Sequence, residues 1–193
     1  MVASDIRGRT SGANPSAMST TSHLEFRQGG PFYDMVGSFL IAIAGAPAII
    51  NADNPMKLTE GHYISLPGIL TPGRHIRPHE IHEQVVKGHL TQSRFLRACC
   101  VMLANTAYEA VKDQNDHSSE FEFFRHIRNA SSHQNKFNFA QKEPSRPAEW
   151  RGTKMDHSYK GSLNPLHGTE CFGRFIGAPD LIDLLKDIEN RII

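Results

Sequence analysis

Apolar residues recur at spacings of three and four along several long stretches of this chain. That period fits α-helices and excludes regular strands over the same residues. In the run Thr91–Lys112, Phe95, Leu96, Cys99, Met102, Leu103, Thr106 and Ala110 fall on one broad face, and Thr91 is a good N-cap. After the polar break Asn115–Ser119, a second helix is expected over Ser119–Gln134. A third closes the sequence: in Pro179–Ile193, Leu181, Ile182, Leu184, Leu185, Ile188 and Ile192 form an amphipathic stripe, and Asp180 and Arg191 suit the two ends of the helix dipole. Two more helices are expected over Phe32–Ala46 and His79–His89. Pro78 precedes the latter at a first-turn position, where its missing N–H is not needed. Strand signals are weak and there is no internal repeat, so the chain reads as mainly α.

The remaining segments divide the chain. Residues 1–30 are rich in Ser, Thr, Gly, Ala and Asn and read as a flexible leader, leaving 31–193 as a single domain. Residues 51–78 are loop-like, punctuated by Pro55, Pro67, Gly68, Pro72 and Gly73. Pro144, Pro147, Gly152, Gly161 and Gly168 make 140–177 irregular, with room for a short hairpin. A chain of 193 residues can bury one substantial core without staples. With 21 basic and 20 acidic residues the net charge is +1, so no global field draws nucleic acid or anionic membrane, and phosphate binding would need a local patch.

The three cysteines, Cys99, Cys100 and Cys171, make no disulfide framework and no CxxC pair, which points to a reducing compartment. No secretory signal is visible near the start, and a cytoplasmic location is expected. Met35–Ala52 carries no charge over 18 residues, near the lower limit for a spanning helix. It contains Gly37, Gly45, Pro47 and Asn51, however, and no basic cluster flanks it, so a buried helix ending near Pro47 is preferred to a membrane span.

The chemistry concentrates in Glu120–Gln134 (EFEFFRHIRNASSHQ). On a helical wheel of about 100° per residue, Phe123, Phe124, Ile127, Ala130 and Ser131 form the core face. The opposite side collects Glu122, Arg125, His126, Arg128, Asn129, Ser132 and His133. Such a group can hold a phosphodiester. An arginine presents a planar charged fork to phosphate oxygens, a histidine passes protons near neutral pH, and an asparagine orients either. Arg128 and His133 lie about 140° apart on the wheel and do not stack, whereas Asn129 and His133 do.

A second Arg-x4-His spacing, Arg77 to His82, follows its arginine with a proline and is set aside. His75, His79, His82 and Glu83 cluster there, but the order does not match His-Glu-x-x-His, and no cysteine stands nearby to complete a zinc site. No metal is assigned. Trp150 reads as an anchor for the irregular segment, and the cysteines as packing residues.

The run FFRHIRNASSH resembles the signature of the HEPN superfamily: an arginine, a polar residue, three variable residues and a histidine, here Arg128, Asn129 and His133. The segment Pro147–Trp150 and the amphipathic end PDLIDLLKDIENRI are similar to bacterial, often plasmid-borne, HEPN-like proteins. The resemblance implies an all-α HEPN-like helical bundle, with an N-terminal extension and the 140–177 insertion before the last helix. It implies a metal-independent endoribonuclease without a cofactor, a toxin or defence effector acting on RNA as a homodimer through the motif helix. A cognate antitoxin is a candidate partner, and the membrane is not. Arg128, His133 and Asn129 would be catalytic, with Arg125, His126 and Ser132 binding substrate. The alternative is a catalytically silent module of the same superfamily that binds RNA, nucleotide or a partner protein.

Overall fold

The computed structural model describes residues 26–47 and 63–193. Its elements, in order, are α1 (Tyr33–Gly45), β1 (Ile64–Leu66), β2 (Arg74–Ile76), α2 (Pro78–Val86), α3 (Gln92–Val111), α4 (Ser119–Ser132), β3 (Ala148–Trp150), β4 (Thr153–Met155) and α5 (Ala178–Ile192). Three of the five helices start where short-range chemistry provides a side-chain cap. The Thr91 hydroxyl accepts from Arg94 N at 3.3 Å, Ser118 Oγ accepts from Phe121 N at 3.3 Å, and Asp180 Oδ2 accepts from Gly177 N at 2.7 Å. Each satisfies a donor that the first helical turn leaves without a partner.

The expected all-α bundle is overturned. The described residues form a mixed domain, five α-helices with two small antiparallel sheets, β1–β2 and β3–β4. Each strand is three residues long, too short for an alternating pattern to register. β3 and β4 are joined by Arg151 and Gly152, with φ of 45° and 78°. Two successive left-handed residues make the tight turn whose twist matches that of paired strands. The sheet positions Trp150, whose indole N–H donates to Asp187 Oδ2 at 2.9 Å, so the expected anchor is one.

The core lies around α4. Ala104 and Ala107 of α3 are small and fully buried, and they let α4 approach with Phe121, Phe124 and Ile127. On its other side Phe123 packs between Trp150 (ring centroids 6.0 Å apart) and Phe175 (5.9 Å). Leu181, Leu184, Leu185 and Ile188 of α5 complete the interior. Met102, expected on the apolar face of α3, is instead 61% exposed. The end of the expected leader is tied to the domain at two points: Phe26 is buried, and Arg27 N donates to the buried Glu189 carboxylate at 3.2 Å. The remainder of that leader, and the end of the uncharged 35–52 stretch, lie outside the described residues. Val36 and Phe39 of α1 are buried, and no helix among the described residues is long and apolar enough to cross a membrane.

Candidate functional site

α4 and its C-cap carry every residue assigned to the candidate site from the sequence, but send them to three different places. The first is a buried ionic network. Glu122 and His126, assigned to the polar face of the wheel, are 1% and 2% exposed. The segment after α4 folds back over that face and brings Glu143 and Arg146 onto it. Arg125 donates to Glu122 at 2.9 Å and to Glu143 at 3.0 Å, and one of its N–H groups reaches His126 Nε2 at 3.2 Å. Arg146 donates to His117 Nδ1 at 2.7 Å and lies 3.6 Å from Glu122. Arg125 and His126, expected to bind substrate, are therefore occupied within the fold. A helical wheel has one covered side, whereas this helix is covered on two.

Arginine can only donate, so His126 Nε2 accepts, and the neutral ring carries its proton on Nδ1. Burial pushes the His126 pKa down to about 4, helped by the Arg125 charge and opposed by Glu143 and Glu122. Burial alone would raise both carboxyls, but the Arg125 hydrogen bonds and charge outweigh it and hold Glu122 and Glu143 below the ordinary carboxylate range. Free histidine titrates near ~6.5, so between that pH and about 4 the unfolded chain binds a proton that folded His126 refuses. The stability due to this group is complete above the unfolded value and is lost as the pH falls toward the folded one. Glu122 and Glu143, held below the ordinary carboxylate range, act with the same sign, their contribution being lost as the pH falls. Unfolding free energy should drop by on the order of 3 kcal/mol between neutrality and about pH 4. In urea titrations across this range, His126→Phe should remove most of that slope.

The second place is the groove between α3 and α4. Arg128 donates to Glu109 at 2.6 Å and to the Asn129 side-chain oxygen at 3.4 Å, and its guanidinium sits 5.7 Å from the Tyr108 ring centre. Arg128 Nε is buried and has no hydrogen-bond partner among the described residues. One turn on, the exposed Ser132 hydroxyl donates to Asn105 Oδ1 at 2.6 Å. Arg128, Asn129 and Ser132 thus line one partly exposed polar strip with Asn105 and Glu109 of α3.

The third place is the end of the helix. α4 stops at Ser132, two residues before the expected Gln134, because Gln134 and Asn135 are left-handed, with φ of 58° and 63°. His133 is the C-cap and its side chain is exposed. It opens into a cleft of about 370 Å³ lined also by Lys136, Asn138 and His167. No hydrogen bond or ion pair among the described residues joins His133 to Arg128. Sequence reasoning did not find Lys136 or His167; Lys136 follows the motif by only three residues, but His167 arrives from a separate loop. Nor do His75, His79, His82 and Glu83 converge, since no group of three or more His, Cys, Asp or Glu that could hold a metal occurs among the described residues.

The fold and site together define a small mixed domain whose central helix presents an arginine–asparagine strip on its flank and a histidine cleft at its end. Compared with protein-family models, with curated proteins and with solved structures, the chain matches none.

Proposed function

We propose that the protein is a metal-independent endoribonuclease of HEPN type, acting as a homodimer through the exposed edge of α4. The observation that carries this reading is the fate of the seven polar residues on that helix. Glu122, Arg125 and His126 are tied into one network beneath the segment after α4, whereas Arg128 and Asn129 are partly exposed and His133 is exposed. Within one chain Arg128 and His133 face different openings. A two-fold pairing of α4 with its copy would set the arginine strip of one protomer beside the histidine of the other.

In the reaction the RNA 2′-oxygen attacks the adjacent phosphorus, and its proton passes to a base. The bond from phosphorus to the 5′-oxygen breaks, and that oxygen takes a proton. The products are a 2′,3′-cyclic phosphate and a 5′-hydroxyl. Arg128 stabilises the charge that builds on the phosphoryl oxygens, an interaction worth most where water is excluded. His133 transfers the proton, and Asn129, already bonded to Arg128, orients the guanidinium or the RNA. The Glu109 carboxylate holds Arg128 until RNA phosphate displaces it.

A mixed RNA pool incubated in EDTA should yield fragments ending in cyclic phosphate with the wild-type chain and none with Arg128→Ala. A folded, dimeric wild type that leaves RNA intact would instead favour the silent binding module, in which the Glu109–Arg128 pair is permanent.

A further inference from the structure

The turn that ends α4 is built with unusual care for a surface loop. Gln134 and Asn135 both hold positive φ, a conformation that side chains other than glycine rarely adopt and that persists only when the surroundings enforce it. Here they do. The buried Asn135 donates through Nδ2 to Phe172 O at 3.0 Å and accepts at Oδ1 from Phe172 N at 2.8 Å, while its own carbonyl accepts from Cys171 N at 2.9 Å. Phe137 exchanges backbone hydrogen bonds with Gly168 and Thr169, at 2.7 and 3.0 Å. The loop carrying His167 is thereby laid across the segment that follows His133.

Charge makes the resulting cleft specific. Lys136 pairs in backbone register with Glu170, yet the Glu170 carboxylate turns away to Arg97 at 3.2 Å. Lys136 is exposed and has no ion-pair partner among the described residues, and no carboxylate lines the cleft. His167 Nδ1 accepts from Phe139 N at 3.3 Å, so its neutral ring carries the proton on Nε2 as a donor. The α4 C-terminus contributes partial negative charge, so an anion here must be drawn by the side chains and not by the backbone. The geometry points to a phosphate seat for single-stranded RNA in this cleft, with Lys136 supplying the charge and His167 a neutral N–H donor, adjacent to His133. The identity of the ligand rests on the ribonuclease reading; the seat's residues do not belong to the Arg128–His133 motif.

A short 2′-O-methyl RNA, which cannot undergo 2′-oxygen attack, tests the seat by fluorescence anisotropy with the full chain. Lys136→Glu should weaken binding at least about tenfold, and Lys136→Ala should lower the slope of log affinity against log salt by about 0.7, the value for one phosphate contact on a single strand. His167→Ala should weaken binding too, and His167→Gln, which restores an N–H donor, should recover most of it. Cleavage of ordinary RNA is followed in parallel. If the wild type cleaves RNA through Arg128 while Lys136→Glu and His167→Ala bind and cleave as it does, the seat is overturned and the ribonuclease reading stands. If binding depends on Lys136 and no variant or wild type cleaves, the seat stands and the ribonuclease reading falls. A wild type that does not bind the oligonucleotide overturns the seat.

Discussion

Glu122→Ala should cost about 3–5 kcal/mol of stability, the usual penalty for breaking a buried charge pair from one side. The carboxylate is 1% exposed and is paired with Arg125 and Arg146. Its removal leaves Arg125 half-buried with Glu143 as its remaining acid, and leaves the Arg146–His117 contact without its central anion. In a domain of this size each kcal/mol lowers Tm by about 2–4 °C, so a fall of about 10 °C or more is expected. Urea unfolding should show a lower midpoint with an unchanged slope, the sign of lost stability rather than an altered denatured state. Glu122→Gln keeps the shape and some hydrogen bonds and should lose less. A variant as stable as the wild type would show that the network contributes nothing to the fold.

His133→Ala should do the reverse. Its side chain is exposed at the C-cap and makes no hydrogen bond to another described residue, so unfolding should change little. Cleavage should fall by about 10²–10⁴-fold, the range for losing a proton-transfer group. The variant should keep its affinity for 2′-O-methyl RNA within a few-fold, which separates a lost proton-transfer group from lost binding. The two substitutions lie eleven positions apart on one segment of chain. Glu122 should govern stability and His133 reactivity, because one end of α4 is roofed by the segment after it and the other end is open.

That division marks how far the sequence reaches. Helix positions were legible because the evidence for them is local. Apolar spacing, the Thr91 and Asp180 caps and the proline at the start of α2 act within one or two turns, and four of the five expected helices lie within two residues of the observed bounds at each end. Helix α2 is the exception at its C-terminus, ending at Val86 and not His89. A short hairpin was expected within 140–177 and β3–β4 forms it, but its exact strands, and β1–β2 altogether, were not legible, since three-residue runs have no period to read and the Arg151–Gly152 turn is recognised only by its dihedral angles.

Within the candidate site, the sequence by itself determined that one helix carries Arg128, Asn129, Ser132 and His133 in fixed order, and that an aromatic core lies on its opposite side. Only the tertiary structure decided which polar residues remain available. It buried His126 and engaged Arg125, because the segment bearing Glu143 and Arg146 crosses the helix there. It also placed Lys136 and His167 beside His133, because the Asn135 clamp joins two loops 37 positions apart. A helical wheel records angle about an axis, and these outcomes depend on which distant segments pack against it.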